Sequence, residues 1–573
     1  MRFTCDTNYE YRSRRSFVLS PSAAVASSQA PATEAGVHVL RAGGSAADAA
    51  IAVAAALQVT QACSTGLGGD AFCLYYEAAT GTVHAYNGSG RSPRALTAEA
   101  ARAVAVDSDE VIASQATVAG GASEAAGVIP TVAGTSPRLP DYHVHTVTVP
   151  GAADAWLETH RRFGRLPLAD VLLPAVRLAR DGFALGPMTA RWWSRGVERQ
   201  VAGRRHGHEL MVDGRSPTVG ERLRNPGLAR VLESLAADGR ESFYEGWIAE
   251  RIIEEIEYEG GCMSAEDLAA HRGEWVEPMR VRYGGFDVWE CPPNGQGLAA
   301  LLALRIYGHL PPEMRAEPVD RLHAQVEAMR LAFADAARFV ADPAFAPAPL
   351  GELLGDDYAA SRAAGIRLDR AMPSVGPGLP AHVAGSDTVY FSVVDAEGNG
   401  CSFINSNFAG FGTGIVPRGC GFTLQNRGLG FVLEPGHANE LAPGKRPYHT
   451  IIPGLMTREG RLAAVFGVMG GMMQPQGHLQ VVGRLVDEGL DPQAALDASR
   501  FQLAGGDPNG TVLVEEGTDP GVAAELGARG HEVEEIAGEQ RAIFGLGQVI
   551  ARGDDGVLWS GSDPRGDGQA GGF

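Results

Sequence analysis

The stretch that decides the fold is AGSDTVYFSVVDAEGNGCSFINSNFAGFGTG, residues 384–414. It follows a Pro- and Gly-rich run, PSVGPGLP (373–380), and from Thr388 onward it alternates as a strand does. TVYFSVVD and CSFIN flank the polar turn AEGNG (396–400), the composition of a hairpin. A buried-looking strand that opens on a bare threonine, directly behind a loose linker, marks a seam in the chain.

The pattern differs on the two sides of that seam. Before it stand GGSAADAAIAVAAALQV (43–59), with almost no polar face and so a fully buried helix, and FCLYYEAATGTVHAYN (72–87), a hairpin about Ala79, Thr80 and Gly81. From Gly151 to Val340 most of the chain reads as helical, with helices expected in 167–183, 243–261 and 319–340. After Thr388 short apolar runs dominate (461–471, TVLVEEG, VLWSGSDPR), and helices are expected only in HLQVVGRLVDEG and DPQAALDASRF. Residues 101–140, low in aromatics and without a clear period, read as a surface insertion, and about 373–387 as a flexible linker.

One chemistry makes sense of a threonine at the seam. Its hydroxyl can attack the carbonyl of Asp387 and shift the chain onto an ester; hydrolysis then leaves Thr388 as a new amino terminus. The freed α-amine, with an ordinary pKa of about 7.7, can serve as base for the same residue's hydroxyl, so nucleophile and base come together. For a lone threonine the commoner reading is a residue that merely opens a strand, and context has to decide.

Composition narrows the classes. The 573 residues are 45% hydrophobic and 20% charged, which suits one large globular domain or two tightly joined layers. A net charge of −20, with no basic cluster beyond 12–15 and the pair Arg204 and Arg205, argues against nucleic acid as a partner. Seven scattered cysteines without CxxC spacing form neither a disulfide framework nor a zinc site. The first thirty residues hold no signal-type apolar run and no later segment is long enough to span a bilayer, so a cytoplasmic protein without a membrane partner is expected. GLGGD alone is not a nucleotide loop, since no GxGxxG or GxxxxGK[ST] follows a strand. His143 and His145 in YHVHT lack an acid or cysteine set to complete a metal site, and a strand face is the blander account. Lysine occurs once, at Lys445, against 47 arginines, which suits a high-GC coding background and makes the surviving lysine a candidate for a compact point charge.

In chain order stand GGSAADAAIA, STGLGGDAF, VPGAADAW, LPLADVLLPAVRLARDGF, ESFYEGWIAERI, DTVYFSVVDAEGN, FGTG, GKRPYHTIIP, GVMGG and GSDPR. From about Gln29 to the end the chain thereby resembles the γ-glutamyltransferases (glutathione hydrolases) of the N-terminal-nucleophile (Ntn) hydrolase superfamily. The resemblance implies an α/β (α+β) fold, a four-layer αββα sandwich built from two autocleaved subunits. These are a large subunit, 1–387, and a small one, 388–573, held as a heterodimer of the two fragments with its further pairing left open. It implies Thr388 as nucleophile, Ser406 as the hydroxyl that bonds the new amine, and Gly470 and Gly471 as the oxyanion hole. Glycine there lets backbone donors come close to the developing charge. No cofactor and no metal is implied.

The departures from the family's pattern bear on the donor. Ser89 stands where the family has the arginine that holds a glutamyl α-carboxylate, with Arg91 two residues on. Arg427 and Gly430 stand where an amide and an acid hold the α-amine, and an ammonium facing Arg427 would be repelled. His449 and Thr450 replace a serine pair, and both can still donate to a carboxylate. Arg91, Arg427, His449 and Thr450 therefore suggest a pocket for a compact anionic acyl group without an α-amine. NGSGR, LQNRG, HTIIP and MQPQGH resemble the branch that includes oxamate amidohydrolase and cephalosporin-acylase-like proteins. Three alternatives stay open: a C–C bond hydrolase releasing an oxalyl fragment in an actinobacterial pathway, an ordinary glutathione hydrolase, and a binding-only pseudoenzyme.

Overall fold

Strand β8 (Asp387–Val394) and strand β9 (Gly400–Phe408) form the expected hairpin at the centre of one of two facing sheets. The computed structural model describes residues 15–106, 137–375 and 387–573, without the Asp387 side chain. The linker expected at 373–387 and the insertion expected at 101–140 fall mostly outside the described residues.

The other sheet strands, in chain order, are β1 (Val18–Ser20), β2 (Ala24–Ser27), β3 (Asp70–Glu77), β4 (Thr82–Gly88), β5 (Glu274–Val276), β6 (Met279–Tyr283) and β7 (Phe286–Glu290). After the hairpin come β10 (Gly454–Arg458), β11 (Arg461–Met469), β12 (Leu546–Arg552), β13 (Leu558–Ser562) and β14 (Gln569–Gly572). One sheet runs β14-β2-β8-β9-β3-β4-β5 and the other β1-β13-β12-β11-β10-β7-β6. Every pairing in both is antiparallel.

Because successive side chains point to opposite faces, a strand packed on both sides must be apolar on both. Along β8, Val389, Phe391 and Val393 pack against helices, while Tyr390 and Val394 pack between the sheets. The helices on that side include α1 (Ala30–Arg41), α2 (Ala46–Thr60), α3 (Ala152–Phe163) and α4 (Leu168–Asp181). Every residue of α2 is buried, as its sequence requires, and its first turn is closed by a capping box between Ser45 and Asp48. On the far side α5 (Gly297–Gly308), α6 (Pro318–Phe339) and α7 (Met473–Val486) pack on the other sheet through Leu298, Met329, Phe333 and Leu479 against Phe466 and Val468. The order is helices, sheet, sheet, helices: a four-layer αββα sandwich.

Three local expectations change. The segment 274–290 is strand rather than helix: β6 and β7 turn at Gly284 and Gly285, both at positive φ, and only every second residue of β6 is buried, a period of two that an apolar count over a long window misses. A further helix, Pro520–Ala528, follows Asp519, whose side chain caps it. His143 and His145 lie at a short 3₁₀ turn, not on a strand, with their rings 4.7 Å apart. No helix among the described residues is long and apolar enough to cross a membrane.

Candidate active site

The ladder between β8 and β9 skips a step at Thr388. Asp387 faces Phe408 and Val389 faces Asn405, so Ser406 and Asn407 together oppose Thr388. Such a bulge re-aims a side chain, and this one is completed by Phe408 at φ 80°, a conformation a bulky residue rarely takes. Thr388 is fully buried, and its Oγ1 donates to Ser406 Oγ at 3.1 Å. The Phe408 N–H donates to the same oxygen at 2.9 Å.

Arg427, on a 3₁₀ turn at 427–430, also donates to Ser406 Oγ at 3.1 Å. Its other terminal nitrogen donates to Thr450 Oγ1 at 2.8 Å, and its guanidinium lies 4.4 Å from the Phe408 ring centroid. This arginine is wholly buried, and among the described residues its Nε has no hydrogen-bond partner. Burial lowers its pKa to about 9, opposed by the charge of Asp70. A buried cation with one remote acid and an unfilled donor is suited to an anion.

Asp70, at the start of β3, is fully buried as well. Its Oδ1 accepts from the Gly90 and Gly151 N–H groups, each at 3.0 Å, and from Gln425 Nε2 at 2.9 Å. Its Oδ2 lies 3.0 Å from His449 Nε2. Burial pushes the carboxyl up, but the bond from His449 and the charge of Arg427 hold it below its usual value. Burial first, and then repulsion by Arg427, takes His449 down to about 3. At neutral pH the pair is therefore a neutral imidazole donating to a carboxylate, with Asp70 as counter-charge to Arg427.

Gly470 and Gly471 follow β11 and stand at φ 129° and 60°, where a side chain would be strained. A Cβ on Gly470 would lie 3.1 Å from Gly545 Cα, a tight contact that adds to the strain of its positive φ. The two glycines lead directly into α7.

The remaining candidates lie elsewhere. Arg91 is half-exposed and bridges Glu274 and Asp342, both at 3.1 Å, so its charge is already matched. Ser89 is buried and accepts from Asn294 Nδ2 at 2.9 Å, and Asn294 also accepts from Asn87 at 2.9 Å, which closes the place of the family's arginine with a neutral amide network. A Cβ on Gly430 would meet the Tyr448 carbonyl at 2.3 Å, so an acid has no room there. Lys445 donates to the Ala438 and Glu440 carbonyls at 2.7 and 2.9 Å, holding its own loop rather than facing Arg427. Sequence reasoning passed over Asp70; the signal was an acid closing a Gly-rich turn, STGLGGD, in a segment otherwise too apolar to be exposed.

A family model described as gamma-glutamyltranspeptidase matches residues 32–136 and 131–573. The glutathione hydrolase-like YwrD proenzyme of Bacillus subtilis is 34% identical over 543 residues, 94% of this chain and 96% of that protein. The oxamate amidohydrolase proenzyme of Klebsiella pneumoniae is 31% identical over 549 residues, 95% of this chain and 97% of that protein. The crystal structure of cephalosporin acylase from Bacillus halodurans superposes with a TM-score of 0.87 at 41% identity, covering 100% of this chain and 99% of that one.

Proposed function

The chain belongs to the gamma-glutamyltranspeptidase family of Ntn hydrolases, and from that premise we propose that it cleaves itself before Thr388 and then hydrolyses amides of a small acidic acyl group. The large subunit would be 1–387 and the small one 388–573. After cleavage the α-amine of Thr388, held by Ser406, takes the hydroxyl proton as Oγ1 attacks the acyl carbon. The Gly470 and Gly471 N–H groups receive the oxyanion, the proton passes to the leaving amine, and water resolves the ester by the same steps in reverse order.

The observation that carries the choice of donor is Arg427: a buried guanidinium, incompletely partnered, that bonds the very hydroxyl Thr388 bonds. A carboxylate next to an acyl carbon within reach of Thr388 would find donors in Arg427 and Thr450, whereas a glutamyl α-ammonium brought toward the same cation would be repelled. His449 serves this pocket through Asp70, while Arg91 stays with Glu274 and Asp342 and takes no part in it. A cytoplasmic site of action belongs to the same proposal and is supported by six described cysteines that are free thiols, Cys73 and Cys401 with sulfurs 3.6 Å apart.

The test is a donor panel. Oxamate and other amides of short diacids should be turned over with higher kcat/KM than glutathione or γ-glutamyl-p-nitroanilide, and Thr388→Ala should turn over none of them. Oxalate released from a substrate without a scissile amide would mark the carbon–carbon cleaving branch instead.

A further inference from the structure

Gln296 comes from the N-cap position of α5, on the large-subunit side of the seam, yet its side chain is spent on two segments of the small-subunit side. Its Nε2 donates to the Thr450 carbonyl at 2.6 Å and to the Gly471 carbonyl at 2.9 Å. Its Oε1 accepts from the Tyr448 hydroxyl at 3.1 Å, and its own backbone N–H donates to the His449 carbonyl at 2.9 Å. Gln296 is fully buried, so these bonds have no competition from water. The Gly471 carbonyl also accepts from the Gln474 N–H at 3.2 Å, while Gln474 Oε1 accepts from the Ile452 N–H at 2.9 Å. Two amides thus fasten the 448–452 segment to the 470–471 turn.

We infer that Gln296 is a positioning residue that fixes the distance between the anion-binding hydroxyl of Thr450 and the oxyanion-binding turn at Gly470 and Gly471. The inference rests on the proposed Thr388 mechanism. A donor pair on a turn of two glycines has no side chains of its own to hold it, and both peptide units flanking Gly471 can rotate unless their carbonyls are tied. The Gly470 carbonyl, whose peptide plane carries the Gly471 N–H, is held by the Met473 N–H at 3.0 Å, and Gln296 ties the next plane through the Gly471 carbonyl, so that neither plane beside Gly471 turns freely. Binding of the acyl carboxylate and stabilisation of the oxyanion are then set by one side chain, so misplacement would cost turnover more than affinity.

The experiment uses the full processed protein with Gln296→Met, which keeps length and volume without polar atoms, and Gln296→Glu, which can accept but not donate while ionised. With the best donor of the panel, Gln296→Met should lower kcat on the order of 10- to 100-fold with KM within about threefold. In Gln296→Glu the ratio of variant to wild-type kcat should rise as pH falls, because a protonated carboxyl regains one donor. Hydrogen exchange measured without substrate should speed up in both 448–452 and 470–474 in Gln296→Met, which reads the clamp independently of catalysis. Unchanged exchange in these segments, or unchanged kcat in a folded and processed Gln296→Met, overturns the inference. A wild type without acyl hydrolase activity fails the proposed function instead, and the exchange result still decides the clamp.

Discussion

Arg427 and Thr388 share a hydrogen-bond partner: each donates to Ser406 Oγ at 3.1 Å. A guanidinium that would ordinarily be exposed is thereby buried within one hydroxyl of the proposed nucleophile, opposed in charge by Asp70 and with its Nε left unfilled among the described residues. The site is organised about that contact.

The first consequence concerns the seam. Denaturing electrophoresis of the 60.1 kDa chain should give two fragments near two thirds and one third of its mass, the smaller beginning Thr-Val-Tyr-Phe. Thr388→Ala should stay whole. A wild-type chain that remains single through long incubation would contradict self-cleavage.

Charge at Arg427 should set the choice of donor. Arg427→Gln keeps a donor toward Ser406 or Thr450 and removes the cation, so kcat/KM for a diacid amide should fall roughly 10- to 100-fold, about 1.5–3 kcal/mol. Activity on a γ-glutamyl donor should stay level or rise. Because Asp70 is the acid that opposes the burial of Arg427, Asp70→Asn should cost less stability in the Arg427→Gln background than alone, a coupling of roughly 0.5–3 kcal/mol by double-mutant cycle. Additive melting temperatures would show that the two charges do not sense each other.

How far this was legible in the sequence follows from where each signal is stored. The seam at Thr388 and the β8–β9 hairpin were readable because strand period and turn residues are local. Helix α2 was readable because its sequence has no polar face. The hairpin at 279–290 was missed because its strands are five residues each and sit among long helices. The bulge at Thr388 depends on Phe408 at positive φ, which nothing in its type announces. Arg91, two residues from the family's place, was a reasonable candidate until Glu274 and Asp342, 183 and 251 residues away in sequence, met it in space. Asp70 and Gln296 act through contacts of that same long range.

Alkaline pH should weaken anion binding. With Arg427 titrating at about 9, kcat/KM for an anionic acyl donor should fall as pH rises through about 9, through KM. The free α-amine of Thr388 sets the rise on the acidic side near its ordinary value of about 7.7. An uncharged acyl donor should show the acidic limb and lack the alkaline one. Identical alkaline limbs for both donors would remove Arg427 from the pocket.

Acid should destabilise the fold through neutral buried histidines. Burial lowers His271 to about 4 and His449 and His531 to about 3. In the unfolded chain each takes up a proton near 6.5, but in the folded protein only near 3–4, so the unfolded state binds more protons over that interval. Stability is fully present above about 6.5 and is lost as pH falls, by up to about 1.4 kcal/mol per pH unit for each histidine. Melting temperature should drop between pH 7.5 and 5, and His531→Gln, which removes the partner of His323 at 2.8 Å, should flatten the slope. A flat wild-type profile would contradict this.

The measurement that tests the central claim most directly is the mass of the small subunit during turnover. Acid quenching in the presence of oxamate, followed by peptide mapping, should find the oxalyl group as an ester on Thr388, and the same experiment with glutathione should find the subunit unmodified. A γ-glutamyl ester on Thr388, or an acyl group on any other residue, would contradict the account.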